Sequence, residues 1–412
     1  MIRNDLKEMI SLAERLEAAA EPAILATLFA ANGSTYRPLG SMMIGGPSSA
    51  FLAGGVSGGC LEEFIARRGR ALARQKSAIM LSFAADPDAD HSDAPSLGCG
   101  GSIDVLIERF TADHLAFLRR FAAAYDADQA STAICTIDTS ANSEIAVQRS
   151  LWTDGDEMSG NEATNLDPQI KLLRERALLA KRSMQGTIGP HRRALVHYVR
   201  PIVRLVVLGA GNDARPICSL GHSLGWHVCV ADRRARMATH GRFPDADQVV
   251  ASDWWTALRS ITFTPQTAIV LMTHSLVDDA EILPLLAERP AAYVGVLGPA
   301  HRRRWLLEHV EGATTLPEKF VNRLRGPIGL DLGDRSPGGI AVAMVAEILA
   351  ELNGRTPVPL CQPTDAKLSQ KHVLQGGREF QGHRSDTRTV AHAHSGQQVC
   401  DLAAGTRSVP TT

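Results

Sequence analysis

Two cysteines stand in glycine-rich surroundings. One lies in Gly54-Gly55-Val56-Ser57-Gly58-Gly59-Cys60-Leu61-Glu62-Glu63, the other in Ser96-Leu97-Gly98-Cys99-Gly100-Gly101. Glycine has no Cβ, so its backbone N–H groups can approach a bulky or anionic ligand closely. A thiol among them can ligate a soft metal or sulfur centre, or act as a nucleophile. The competing fate of a free cysteine is that of a small buried hydrophobe. For Cys60 the two readings stand level. It falls at an expected helix start, which lowers a thiol pKa, while the nearby acids Glu62 and Glu63 oppose that. For Cys99 the flanking Gly98, Gly100 and Gly101 favour a functional role, as ligand or nucleophile, because a packing cysteine does not need them. Cys135, Cys218, Cys229, Cys361 and Cys400 sit in apolar, linker or tail contexts and are assigned no role.

Ahead of both loops comes Gly33-Ser34-Thr35-Tyr36-Arg37-Pro38-Leu39-Gly40. Its hydroxyls, with Ser34 first, and the Arg37 guanidinium could hold an oxyanion. Taken alone, the segment reads better as a hairpin turn with an exposed arginine, and the oxyanion reading gains weight only beside the two cysteine loops. Further on, Arg204-Leu205-Val206-Val207-Leu208 is followed by Gly209-Ala210-Gly211-Asn212-Asp213-Ala214, and Asp232 ends the next apolar run. This is the strand, G-x-G-x-x-A turn and helix of a dinucleotide site. Gly209 makes the tight turn, Gly211 admits the pyrophosphate, and Asp232 is placed to accept from a ribose 2′-OH. Arg233 and Arg234 could favour a 2′-phosphate instead, so NAD and NADP both stay open. The alternative is a Rossmann fold that has lost its cofactor or uses the crevice for another nucleotide-like ligand. His274 in Thr273-His274-Ser275 ends a later strand and could contact a nucleotide or substrate. His301-Arg302-Arg303-Arg304 opens a helix and reads as a phosphate site or a solvated face.

The elements that must position these residues follow from periodicity. Helical spacing covers residues 2–16, 61–75, 111–125, 172–184 and 338–352. Strands are expected at 23–30, 41–44, 50–53, 78–83 and 103–110, and a hairpin at 133–137 with 144–148. From Val203 five apolar runs alternate with helical patterns, the rhythm of a parallel sheet. The fold class is therefore α/β, a mixed first domain followed by a Rossmann-like parallel sheet. The expected boundaries are a cradle domain at 1–130, a connecting stretch at 131–200, a Rossmann-like domain at 201–354 and a disordered polar tail at 355–412.

Lys plus Arg number 43 and Asp plus Glu 44, and no basic stripe with interleaved aromatics appears, so nucleic acid is disfavoured as a partner. The seven cysteines form no C-x-x-C pair and read as reduced thiols of a cytoplasmic protein. No apolar run is long enough to cross a bilayer. Zincin, P-loop and α/β-hydrolase motifs are missing, and no proton-shuttling constellation is recognisable.

Taken in order, these motifs resemble the XdhC/CoxI family, the accessory factors of xanthine and carbon monoxide dehydrogenases. Gly33 to Gly40, Gly58-Gly59-Cys60-Leu61-Glu62 and Gly98-Cys99-Gly100-Gly101 resemble its N-terminal part. Leu208 to Ala214, Met272 to Ser275, Tyr293 to Gly298 and Gly326 to Gly333 resemble its C-terminal Rossmann part. Tyr36 departs from the family, which often has proline there. The resemblance implies a chaperone that binds molybdenum cofactor, as molybdopterin or its dinucleotide form, and protects its sulfurated state. It implies delivery to an apo-molybdenum hydroxylase and contact with a cysteine desulfurase. Cys99 is then the residue that contacts the cofactor and its metal, with Cys60 in the neighbouring motif. A half-open cradle also allows a homodimer. The competing function is an NAD(P)-dependent oxidoreductase built on Gly209, Gly211 and Asp232. A third is a scaffold that docks on the apo-enzyme without carrying pterin.

Overall fold

Apolar residues at helical spacing bury one face of the first helix, α1 (Arg3–Ala18), through Leu6, Met9, Leu12, Ala13 and Leu16. That face covers an antiparallel sheet of β1 (Ile24–Asn32), β2 (Met42–Gly45), β3 (Leu52–Gly54), β4 (Ala78–Ala84) and β5 (Ser102–Arg109). Helix α2 (Glu62–Ala73) follows β3, and α3 (Ala112–Asp126) follows β5. The computed structural model describes residues 3–46, 52–59, 61–73, 77–84, 101–140, 144–153, 166–311 and 314–360. Cys60, Gly98, Cys99 and Gly100 lie outside the described residues, as does the expected tail beyond Leu360.

The strand order is β3-β2-β1-β5-β4, and every neighbouring pair is antiparallel. The carboxyl ends of β1, β3 and β4 therefore share one end of the sheet with the amino ends of β2 and β5. Asn32 pairs with Ser102, Ala84 with Ser102, and Met43 with Gly54. Segment 33–41, segment 55–59, the end of β4 at Ala84 and the entry to β5 at Gly101 all lie at that end. The described flanks of the three motif segments, far apart in sequence, are thus gathered by strand direction.

Residues 131–199 carry a second antiparallel sheet. It comprises β6 (Ser131–Asp138), β7 (Ala146–Thr153), β8 (Met184–Thr187) and β9 (Arg192–Val199), in the order β7-β6-β9-β8, with α4 (Pro168–Ala180) between β7 and β8. Cys135, Ile137 and Leu195 pack against Phe29, Ala30 and Leu106 of the first sheet. Helix α4 starts four residues before the position its periodicity suggests. Asp167 caps it by accepting from the Gln169 N–H at 2.9 Å, Pro168 occupies its first turn, and Lys181 ends it at φ 49°.

The remainder is a parallel sheet in the order β12-β11-β10-β13-β14-β15. Its strands are β10 (Arg204–Leu208), β11 (His227–Asp232), β12 (Gln248–Ala251), β13 (Thr267–Leu271), β14 (Tyr293–Val296) and β15 (Leu324–Arg325). One face is covered by α5 (Ala214–Ser223) and α10 (Pro337–Leu352), the other by α6 (Trp254–Ser260), α7 (Leu276–Leu286), α8 (Ala300–Glu311) and α9 (Glu318–Arg323). Burial on both faces explains the continuous apolar runs of β10 and β13. The fold class is the expected one, mixed α/β followed by a Rossmann-like sheet. The described residues up to Pro357 form one compact unit. Among the described residues no helix is long and apolar enough to cross a membrane.

Candidate functional site

Glu62, in the first turn of α2, organises the loop that leads to it. Its side chain turns back and accepts from Val56 N at 3.0 Å, Ser57 N at 2.7 Å, Ser57 Oγ at 2.6 Å and Leu61 N at 3.2 Å. Burial pushes this carboxyl up, but the hydrogen bonds from Ser57 and the backbone outweigh it and hold it below the ordinary range. Sequence reasoning gave Glu62 only an influence on Cys60 and a place in the family motif. In the structure it ties Val56, Ser57 and Leu61 together. Gly59 has φ +108°, and a Cβ there would meet nothing within 4 Å. Gly58 packs beneath the Tyr36 ring, which is itself 77% exposed.

Arg37 reaches the same loop. Its Nη2 lies 3.4 Å from the position a Cβ on Gly55 would take, and its Nη1 donates to Asp5 Oδ2 of α1 at 3.1 Å. Its Nε is buried and has no hydrogen-bond partner among the described residues. Thr35 Oγ1 donates to the Arg37 carbonyl at 2.9 Å and stiffens the turn. Gly101 closes against this segment from β5, with a Cβ there falling 2.7 Å from the carbonyls of Asn32 and Ser34. The structure therefore brings together Ser34, Arg37, Gly58, Gly59 and Gly101. Cys60, Gly98, Cys99 and Gly100 belong to the same loops but lie outside the described residues. A cavity of about 830 Å³ opens at the other end of the first sheet, beside Ile24, Arg67 and Arg109, and holds none of the motif residues.

The second group of expected residues meets at the carboxyl end of the parallel sheet, beside β10 and β13, where the strand order reverses. Gly209 is held at φ +116°, and a Cβ there would collide with the Met272 carbonyl. Asp232 has partners of its own. Oδ2 accepts from Ala210 N and Arg234 Nη2, both at 2.7 Å, and Oδ1 accepts from Arg234 N and Nε. His274, at φ +57°, pairs through Nε2 with Asp213 Oδ2 at 2.7 Å. Asp213, at the head of α5, was not singled out from the sequence. Its relevance depends on a residue 61 positions away.

Among the described residues no group of three or more His, Cys, Asp or Glu could hold a metal ion. Cys135, Cys218 and Cys229 are buried, and burial pushes each thiol up to about 12.

Residues 16–84 match the family described as XdhC and CoxI, and residues 205–348 match the XdhC Rossmann domain. A Bacillus subtilis protein, named as a probable xanthine dehydrogenase subunit, is 29% identical over 337 residues, covering 80% of this chain and 93% of the relative. The Escherichia coli molybdenum cofactor insertion chaperone PaoD is 22% identical over 352 residues, covering 84% and 89%. A crystal structure described as a xanthine dehydrogenase from Bacillus halodurans superposes with a TM-score of 0.66 at 25% identity, covering 84% of this chain and 96% of that one. With one match on the glycine-loop sheet and the other on the parallel sheet, the chain belongs to the XdhC and CoxI family.

Proposed function

We propose that this protein acts in molybdenum cofactor maturation, binding the cofactor at the glycine-loop end of the first sheet and passing it to an apo-molybdenum hydroxylase. The observation that carries the reading is that segments 33–41 and 55–59, the end of β4 at Ala84 and the entry to β5 at Gly101 lie at one end of one sheet, while Cys60 and Cys99 lie outside the described residues. The donor set fits such a cargo. A thiolate is the protein ligand suited to a sulfur-rich metal centre, and Cys99 and Cys60 are the thiols these loops carry. Glycine N–H groups and the Arg37 fork suit a phosphate. A carrier must release what it holds, so one soft ligand among many backbone contacts serves better than a closed metal cage. We assign the sulfurated cofactor as the form carried, a cysteine desulfurase as the second partner, and Ser34, Gly58, Gly59, Gly98, Gly100 and Gly101 as the backbone lining. The named function of the Escherichia coli relative supports the same reading.

The test is retention of pterin. The protein is purified from cells that make the cofactor and then oxidised, and the pterin product is read by fluorescence. The wild type retains pterin and Cys99→Ala loses it. A wild type without pterin, or full retention in Cys99→Ala, overturns the proposal. The oxidoreductase reading rests on the strand, turn and helix at Gly209 and Gly211. It predicts quenching of NAD(P)H fluorescence and tolerance of serine at Cys60 and Cys99.

A further inference from the structure

The parallel sheet carries a dinucleotide signature, yet the polar groups of its first half are engaged by the protein's own side chains. Asp232, the acid expected to meet a ribose, is only 3% exposed and is held by Arg234 and the Ala210 N–H. Asp213 stands at the head of α5, where a pyrophosphate would sit, and its Oδ1 would meet a Cβ on Gly211. A diphosphate there meets the Asp213 carboxylate at close range and would have to displace its pairing with His274. Arg242 reinforces the closure by donating to Asn212 Oδ1 at 2.8 Å and to the Ala210 carbonyl at 3.3 Å.

The second half is open. Between the turns after β13 and β14 lies a cavity of about 450 Å³, lined by Leu276, Pro299, His301, Arg304, Trp305 and Glu308. Arg302 also borders it, but its guanidinium is engaged by the buried Asp279 at 2.6 Å. Arg304 has no ion-pair partner among the described residues and is exposed. The Trp305 indole is stacked on His309 with centroids 4.8 Å apart and stays 39% exposed. A braced aromatic ring beside an exposed guanidinium suits a planar heteroaromatic group bearing one phosphate. The single acid on the rim, Glu308, disfavours a more highly charged ligand.

We propose that this cavity is a seat for a heteroaromatic monophosphate, of mononucleotide size, and that the closed first half excludes dinucleotides such as NAD. The inference goes beyond the cofactor reading and does not depend on Cys99. Guanosine 5′-monophosphate serves as the probe, with NAD⁺ and inorganic phosphate beside it, in calorimetric titrations of the full chain. Wild type binds the monophosphate more tightly than NAD⁺ and than inorganic phosphate. Trp305→Ala and Arg304→Ala, both at exposed positions, each weaken it by about tenfold with the circular dichroism spectrum unchanged. No binding by wild type at about 1 mM ligand, binding unchanged in both variants, or tighter binding of NAD⁺ overturns the proposal. Inorganic phosphate binding as tightly as the nucleotide also overturns it, because the ring would then contribute nothing. Retention of pterin is a separate measurement, so either reading can fail while the other stands.

Discussion

Two buried carboxylates show how single residues hold this molecule. Glu62 gathers the donors of segment 56–61, and Glu108 on β5 is clamped by Arg149 of β7 and by His114 Nε2 at 3.1 Å. Burial pushes the Glu108 carboxyl up, but the facing Arg149 and His114 bring it down to about 2. A folded-state pKa below the unfolded one means stability that is present above about pH 4.5 and is lost as pH falls toward about 2. The shift corresponds to about 3 kcal/mol. Glu108→Gln is expected to cost at least that much, since it strands the buried Arg149 cation. It should also flatten the acid limb of a plot of stability against pH from urea titrations. An acid limb as steep as in the wild type would mean that other carboxylates govern acid unfolding. The Glu62 carboxyl also lies below its ordinary range, so its contribution is likewise present at neutral pH and lost in acid. Glu62→Gln should cost about 1–3 kcal/mol and reduce pterin retention. If stability fell while retention stayed full, the hydrogen bonds to segment 56–61 would have no part in binding.

At the scale of elements, Gly40 joins the two antiparallel sheets. It has φ +86°, its N–H donates to the Leu28 carbonyl at 2.9 Å, and its carbonyl meets His197 Nδ1 of β9 at 2.9 Å. A Cβ on Gly40 would overlap the His197 imidazole. Gly40→Ala should destabilise by about 1–3 kcal/mol from the backbone conformation alone, with the overlap added. Pairing it with His197→Ala should recover the overlap but not the backbone cost. Additive losses in a double-mutant cycle would contradict this contact. This junction was not legible in the sequence, because it joins residues 157 positions apart. The parallel strands were legible, because burial on both faces writes itself as unbroken apolar runs such as Leu205 to Leu208. Helix α4 was displaced because its cap, Asp167-Pro168, outweighs the weak apolar period that follows. Strands β8 and β9 were missed, since β8 has four residues, all half-buried or exposed, and its pairing is set by tertiary contact. At the site, the glycine motifs were legible as motifs. The occupation of Asp232 by Arg234 was not, since it depends on side-chain geometry.

The whole molecule depends on a polar joint between its antiparallel and parallel parts. Arg3, at the start of α1, donates to Asp126 at the end of α3 at 2.7 Å and to Asp247, just before β12, at 2.6 Å. Asn4 Nδ2 donates to the His222 carbonyl at the end of α5 at 2.7 Å, and Arg204 meets Asp128 at 2.9 Å. All of these parallel-sheet contacts are at the amino end of the strands, so the joint leaves the carboxyl end with its Gly209 turn and the Trp305 cavity uncovered by it. The Arg3 side chain is 13% exposed and Asp247 19%, so salt screens this pair less than a surface one. Arg3→Ala would leave Asp247 with the Val228 N–H and without its cation. The expected loss is about 1–3 kcal/mol, a fall in melting temperature of roughly 2–8 °C. Arg3→Lys should recover only part of it, because one ammonium lacks the fork that reaches two carboxylates. Calorimetry at low and high salt checks both points. A melting temperature unmoved in Arg3→Ala, or full recovery in Arg3→Lys, would show that apolar packing rather than this guanidinium holds the two parts together.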